Sequence, residues 1–480
     1  MTAVPEKVIQ LATRIRDAGG RALLVGGCVR DELMGRSIKD WDLEVYGIDP
    51  AELRRILDQF GPVNVVGEAF SIYKLGHDLD VSIPRRERKS GAGHRGFVIE
   101  GDPTMSTTEA ARRRDFTINA ILKDPLIGEI IDPFQGREDI DLKLLRAVSK
   151  DTFAEDSLRV LRAAQFAARF NFEIEPETVT LCRSIQLSDL HSERIWGEVE
   201  KVLLQASEPS GGMKWWKELR VVEQLFPEIQ SLVGVVQDPE WHPEGDVYVH
   251  TTLVVDRARE LIEDLTYPKQ VTVMLAALAH DFGKPATTQF IEGHWRSRGH
   301  EEAGVEPTIR FLARLNIHTL SGYDVRGQVI ALVREHLKPG EFYKKQNEVG
   351  DGAFRRLARR CELDLLYRVA AADSLGRNAS WVPREKWYDA EAQDWFIKRA
   401  RELEIECRPP EPILMGRHLL EMGLEPGPRV GKITQAVYEL QLDGRVRNLD
   451  EAKAEAQKIL SADYADSTES STAYCLLVSR

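Results

Sequence analysis

The sequence predicts an α+β fold: a head with a mixed sheet and helices, followed by an all-α remainder. Three observations lead there. Between Ala22 and about Val148, β-rich runs (ALLVG, DLEVYG, FSIYKL, LDVSI) alternate with helical stretches such as AELRRILDQFG, the pattern of strands interleaved with helices. From Phe153 onward the apolar spacing takes the helical period in SLRVLRAAQFAARF, ERIWGEVEKVLLQ and MKWWKELRVVEQLF, and no further strand is expected. The 480 residues, 42% of them hydrophobic, suffice for about three domains and their cores.

Polar breaks divide the chain. QASEPSGG (205–212), QDPEWHPEGD (237–246) and the proline-rich ECRPPEPI (406–413) are the linker candidates, because such clusters interrupt periodic segments. They give a head over 1–149, a helical neck over 150–212, a helical domain over 213–400 and a tail over 401–480, whose Ser/Thr-rich end is expected to fray. The net charge of 65 − 77 = −12 argues against a protein coated in basic surface for non-specific duplex binding. Cys28, Cys182, Cys361, Cys407 and Cys475 never form a Cys-x-x-Cys pair, so neither a disulfide framework nor a thiolate zinc site is indicated. That usage, a polar N-terminal helix pattern and the lack of a bilayer-length apolar run lead to the expectation of a cytoplasmic, non-membrane protein.

The first chemistry-bearing segment is LLVGGCVRDELMGRSIKDWDLEVYG. An apolar strand precedes Gly26-Gly27, a helical stretch follows, and a second strand carries Asp40-x-Asp42. Residues two apart on a strand share a face, so the two carboxylates lie side by side, which is costly unless a cation such as Mg²⁺ sits between them. Gly26 and Gly27 let the backbone approach a triphosphate, with Arg30 as an anion partner. Asp80, on another strand in LDVSI, is the third acid, with Asp78 its competitor; together they suit in-line displacement at phosphorus, with Asp80 helping to deprotonate the attacking hydroxyl. Taken as dipeptides, these are also only a polar strand end and a turn.

The string G-G-x-V-R-D-x-L-x-G followed by D-x-D resembles the head signature of the class II tRNA nucleotidyltransferases, the CCA-adding enzymes of the polymerase β superfamily. The likeness continues in order through Arg113-Arg114-Asp115-Phe116-Thr117-Ile118-Asn119-Ala120, Asp132-Pro133, Gly136, Glu155-Asp156-x-x-Arg159 and Glu193-Arg194, covering about the first 200 residues. It implies a polymerase β-like head, Mg²⁺ at Asp40 and Asp42, and transfer from CTP and ATP to a tRNA 3′ end. It also implies ribose and triphosphate contacts for Arg114, Asp115 and Asn119.

Asp156, Arg159 and Arg162 are spaced to project together from a helix. A carboxylate accepts the exocyclic amino hydrogen of cytosine or adenine while a guanidinium donates to the ring nitrogen; guanine and uracil offer the opposite pattern. By the resemblance Asp156 and Arg159 are the nucleotide template. Without it, the same spacing reads as an intrahelical salt bridge. The basic stretch PRRERKSGAGHRGF (84–97) reads as a solvated loop, and by the resemblance as a mobile loop that assists the change from C to A addition.

Seven of the eleven histidines fall between His242 and His336. Neutral imidazoles and carboxylates converging from several helices suit one or two divalent metals that activate water against a phosphate ester. The order His250, His280-Asp281, His300, His336, Asp373, with HDFGK intact, resembles the HD phosphohydrolases, and WHPEGDVYVHT resembles the HD-bearing bacterial CCA-adding enzymes. The resemblance implies a divalent transition metal or Mg²⁺ at His250, His280, Asp281 and Asp373, with His300 and His336 holding a second ion. It also implies 2′,3′-cyclic phosphodiesterase, 2′-nucleotidase or phosphatase activity. His242, His294 and His318 receive no role.

In the tail, Gly416, Gly427 and Lys432 either approach an RNA backbone or punctuate helices. A poly(A) polymerase, which would use little CTP, and a CC-adding or A-adding partial enzyme are the nearest alternatives. A phosphohydrolase whose head only binds RNA would require loss of a head carboxylate, and none is lost; a purely binding protein would not need both acidic sites. Monomer and homodimer both remain open.

Overall fold

The structure is a computed structural model that describes residues 3–66, 72–89 and 97–461. Its contacts divide the chain into two compact units, Met1–Gln230 and Ser231–Arg480.

In the first unit, β1 (Arg21–Val25), β2 (Trp41–Tyr46), β3 (Val63–Val66), β4 (Ile72–Leu75), β5 (Leu79–Ser82), β6 (Arg85–Lys89), β7 (Phe97–Gly101), β8 (Leu122–Lys123) and β9 (Ile130–Ile131) follow in chain order. Seven of them form one sheet in the order β3-β4-β5-β2-β1-β8-β9, and β6 pairs with β7 separately. Only the β2–β5 pairing is parallel within the large sheet. β1 is apolar on both faces, whereas β2 is apolar on the face of Trp41, Leu43 and Val45 and carries Asp42, Glu44 and Tyr46 on the other. Leu24, Leu43 and Val45 join one core with the helices Glu6–Asp17 and Pro50–Leu57, while Leu23, Val25, Tyr46 and Leu122 join another beneath Thr107–Arg112. Burial on both sides is why β1 reads as a near-continuous apolar run.

Helical chain follows, as expected, through Leu158–Phe170, Ser192–Gln205 and Pro209–Glu218, which pack on one another. Phe116 sets its ring edge-on to Phe153 at 5.6 Å and Phe166 at 5.7 Å, stapling the head to this layer. The break at 205–212 is a turn inside the first unit, because Pro209 already begins a helix that buries Met213, Trp215 and Trp216. The expectation of no strand after Phe153 is corrected in a small way. Leu144–Leu145 pairs with Glu173–Ile174, and two hairpins, Gln289–Ile291 with His294–Arg296 and Thr319–Leu320 with Tyr323–Asp324, interrupt the second unit. Pairings of two or three residues carry too little periodicity to be read from sequence.

The second unit packs Val247–Glu260, Tyr267–Ala279, Val325–Glu335 and Leu363–Leu375 around a common core. Tyr267–Ala279 is buried continuously from Val271 to Ala279, as expected of a central helix apolar all round. The tail has its own core of Leu414, Leu419, Ile433, Val437, Val446, Ala452 and Ala456. There Gly416 opens the short helix Gly416–Glu421, Gly427 precedes the helix Pro428–Leu442, and Lys432 is exposed. Among the described residues no helix is long and apolar enough to cross a membrane. The side chains of 86–100 and most of the Ser/Thr-rich end lie outside the described residues, and with them the expectations for a mobile loop and a frayed terminus.

Candidate functional site

Two sites stand out, one in each unit. In the head, β1 ends at Gly26, whose φ of 70° is a region glycine enters without penalty. A Cβ there would meet Arg114 Nη1 at 2.8 Å and Asp42 Oδ2 at 3.9 Å. The bare backbone therefore lets the Arg114 guanidinium lie across the strand end towards the acid. Asp42 lies on β2 directly opposite Asp80 on the parallel β5, and Lys74 on β4 sits 3.4 Å from Asp80. Burial raises the Asp42 carboxyl above its ordinary value; Arg114 and Lys74 counter this, while Asp80 and Asp40 push it further up. Like charges crowded this way are what a bound cation relieves.

The register selects Asp80 over Asp78, which lies before β5 with its carbonyl taking the Trp41 N–H. Asp40 is corrected slightly: it is exposed and sits just before β2 rather than on it. A cavity of about 480 Å³ opens beside Gly27, Arg30, Arg36, Lys39, Asp40 and Asp42, with Arg169 on its wall. Arg36 and Arg169, absent from the sequence reading, both stack on Phe170, at 4.8 and 5.3 Å. Their positions 36 and 169 carry no local pattern, so only folding brings them together.

Behind the cavity runs a buried polar chain. Arg30 donates to Asn119 Oδ1 at 2.6 Å and to Asp31 at 2.7 Å, and its guanidinium lies 4.7 Å from the Phe170 ring centre. Asn119 donates to Asp115 at 2.9 Å, and Arg162 reaches Asp115 at 2.6 Å. Burial alone would raise the Asp115 carboxyl, but Arg162, Asn119 and the Phe116 N–H more than offset it and hold it below the usual value. Asp115, Asn119 and Arg162 thus tie the arginine motif to the helix that follows.

The projection of Asp156 and Arg159 from one helix is corrected. Asp156 precedes the helix, accepts the Leu158 N–H at 3.1 Å and binds Arg194 at 2.8 Å. Arg159 donates to the carbonyls of Thr152 at 2.6 Å and Arg113 at 2.7 Å. Among the described residues Asp156 and Arg159 meet only through the backbone, Arg159 N–H donating to the Asp156 carbonyl at 3.1 Å, so the intrahelical salt bridge is not what the two side chains make. Arg194, quoted only as part of a motif, is the missed partner, and its distance of 38 positions hides it from helical spacing.

In the second unit His250 comes from Val247–Glu260, His280 and Asp281 from the end of Tyr267–Ala279, His336 from the end of Val325–Glu335 and Asp373 from Leu363–Leu375. All six expected residues, His300 included, are buried together. His250 Nε2 lies 3.0 Å from Asp373 and 3.8 Å from Asp281; His300 Nε2 lies 3.4 Å from Asp281. His250, His280 and Asp281 form one metal-sized group, and Asp281, His300 and His336 a second.

The donors are oriented for a cation. Nδ1 of His280, His300 and His336 each lies 2.7 Å from the carbonyl three residues earlier, so the proton sits there and Nε2 is the free lone pair. The lone pairs of His300 and His336 face each other at 3.2 Å. Burial and the neighbouring imidazoles push His336 down to about 3, which leaves it neutral. His280 Nε2 and both Asp281 oxygens are buried without a hydrogen bond, although Lys284 Nζ is 2.7 Å from Asp281. Nε2 lone pairs left free by their Nδ1 contacts, the Asp281 carboxylate among them and deep burial fit a divalent metal.

Sequence reasoning missed Lys284, Glu244 and Arg377. Glu244 lies 2.8 Å from His242 and 2.7 Å from His250, which links the unassigned His242, a residue of the same cavity wall, to the cluster. His294 meets Asp238 at 2.9 Å, and His318 meets Arg326 at 3.4 Å.

With this geometry in hand, residues 22–146 match the family described as Poly A polymerase head domain. Residues 171–232 match the probable RNA and SrmB-binding site of polymerase A, and residues 247–378 match the HD domain. The chain is 37% identical over 372 residues to the multifunctional CCA protein of Xylella fastidiosa strain M23, covering 74% of this chain and 84% of that protein. The chain belongs to the multifunctional CCA protein family. Another family member, from Actinobacillus pleuropneumoniae serotype 5b, is 35% identical over 400 residues, 80% of this chain and 92% of that one. Membership in the multifunctional CCA protein family makes the chain a tRNA nucleotidyltransferase.

The fold agrees. The CCA-adding enzyme of Bacillus stearothermophilus in complex with CTP aligns with a TM-score of 0.62 at 19% identity, covering 96% of this chain and 98% of that one. The Thermotoga maritima CCA-adding enzyme complexed with tRNA aligns with a TM-score of 0.58 at 18% identity, covering 95% and 96%.

Proposed function

We propose that the head adds CMP, CMP and AMP to the 3′ end of tRNA from CTP and ATP without a nucleic-acid template, releasing pyrophosphate at each step. The observation that carries this reading is the register of Asp42 against Asp80, with Arg114 laid over Gly26 beside them. Asp40, Asp42 and Asp80 would hold Mg²⁺, which supplies charge neutralisation for an in-line displacement at the α-phosphorus. The chain's own part is positioning. Asp80 would draw the proton from the tRNA 3′-hydroxyl, while Arg114, Arg36, Lys39 and Arg169 would draw the triphosphate in. Asp156, beside Arg194, and Arg159 select cytosine and adenine, and Arg162 and Asp115 hold that helix against the head. A tRNA partner agrees with the relatives solved with CTP and with tRNA.

The second unit, on this reading, hydrolyses phosphate esters of 2′,3′-cyclic or 2′-phosphorylated nucleotides. His280 Nε2, buried beside Asp281 without a hydrogen bond, supports it, and the imidazole-rich donor set favours a transition metal over Mg²⁺.

The test uses tRNA transcripts ending at the discriminator base, at C and at CC, with CTP and ATP supplied singly and together. Growth by CCA followed by a stop is expected. A long A ladder would assign poly(A) polymerase activity instead, growth by CC or A alone would assign a partial enzyme, and no incorporation would overturn the reading.

A further inference from the structure

Exposed aromatic rings gather where the second unit's cavity opens. Trp241 is 54% exposed and Trp295 is 38% exposed, and both line the cavity of about 200 Å³ that reaches Asp281, His300 and His336. Phe290, 61% exposed, sets its ring 5.2 Å from Trp295. Indoles are ordinarily well buried, so two at one mouth ask for a ligand.

A single residue positions both. The Asp238 carbonyl accepts the Trp241 N–H at 3.1 Å, and its carboxylate accepts the Trp295 N–H at 3.1 Å and contacts His294 at 2.9 Å. The loop and the hairpin that carry the two rings are thereby pinned together. Arg377 also lines this cavity, and its buried Nε has no hydrogen-bond partner. The wall therefore combines flat apolar faces at the rim with a guanidinium that stacks on Tyr388 at 4.8 Å and lies 3.9 Å from Asp373 of the histidine cluster. Nucleobases stack on such faces whatever their identity, and guanidinium groups take phosphate.

We propose that this cavity is a nucleotide subsite in which Trp241 and Trp295 hold an unstacked base and Arg377 takes its phosphate. The ligand class is a nucleoside phosphate, free or at the 3′ end of an RNA, and not a baseless phosphate ester. Turnover in this site rests on the phosphohydrolase reading above; binding does not.

The experiment uses the full chain with Mn²⁺ and three substrates: cytidine 2′,3′-cyclic phosphate, a short oligoribonucleotide ending in a 2′,3′-cyclic phosphate, and glycerol 1,2-cyclic phosphate. Trp241→Ala and Trp295→Ala should raise KM for the nucleotide substrates roughly tenfold. Glycerol cyclic phosphate should be unaffected, kcat should stay within about twofold, and phenylalanine at either position should restore most of the loss. An effect on both nucleotide substrates supports a subsite that needs only base and phosphate, and an effect on the oligonucleotide alone supports an RNA end as the source. Equal losses on all three substrates, or none on any, would overturn the proposal.

If the unsubstituted chain hydrolyses nothing, the phosphohydrolase reading fails separately. Equilibrium dialysis of cytidine 2′-monophosphate against metal-free protein then decides: loss of one binding site in the Trp241→Ala/Trp295→Ala double variant supports the subsite, and unchanged binding overturns it. CCA addition by the same variants reports whether the head is intact.

Discussion

The head pocket and the histidine cluster are both built to gather negative charge around a cation, yet they are prepared to different degrees. In the head, Asp40 is exposed, Asp80 leans on Lys74, and burial raises the Asp42 carboxyl. In the second unit six ligand-type residues are buried together, with the Nδ1 protons of His280, His300 and His336 parked on backbone carbonyls. The difference teaches what each site waits for. A metal that came with a triphosphate would need only a partly exposed set of acids, whereas a resident ion would need its donors desolvated and oriented beforehand.

The largest expected effect tests that independence. Asp42→Ala should lower nucleotide incorporation by roughly a thousandfold or more while leaving phosphate-ester hydrolysis intact, and Asp281→Ala should do the reverse and lower metal content by elemental analysis. Joint loss from either variant, in protein with an unchanged melting temperature, would break the comparison.

Next is the buried chain behind the head pocket. Asp115→Asn strands Arg162 and should destabilise the first unit by about 3–5 kcal/mol, read by denaturant unfolding of the intact chain. The sign of its pH dependence follows from the carboxyl being held below its ordinary value, about 3.9 when unfolded. Its contribution is complete above that value and is lost as pH falls through the native one. The asparagine variant should therefore lack part of the acid-side fall in stability.

Base selection is a smaller effect. Asp156→Ala or Arg159→Ala should erode the preference for CTP and ATP over UTP and GTP by about 1–3 kcal/mol, seen as misincorporation in competition assays with tRNA binding retained. Arg194→Ala should follow Asp156→Ala, because the two share one contact; an unchanged preference would remove the template assignment. Smallest is Gly26→Ala, which forces a side chain into positive φ at about 1–2 kcal/mol and displaces Arg114. Incorporation should fall modestly while hydrolysis in the second unit stays constant.

Much of the site was legible from local pattern. Asp40-x-Asp42 after Gly26-Gly27, and His280-Asp281 closing an apolar helix, are short-range arrangements whose chemistry survives in the sequence string. Arg36, Arg169, Arg194, Glu244, Lys284 and Arg377 were not legible as site residues, since a charged side chain on a helix or loop looks the same whether it faces solvent or a cavity. Asp156 was placed on the helix although it precedes the N-cap Ser157, because a three-residue spacing does not separate a helix from the turn before it.

What the sequence by itself determined is the order of parts: a strand–glycine–helix–strand head with two acids, a helical remainder, and a histidine set spread over several helices. These follow from periodicity and turn chemistry, which act over a few residues. Tertiary structure alone decided that Asp80 rather than Asp78 faces Asp42, that Asp156 binds Arg194 rather than Arg159, and that Asp238 draws Trp241 and Trp295 to one cavity. Such choices depend on strand register and helix packing, where the free energy of burying apolar faces selects partners tens of residues apart that no local pattern encodes.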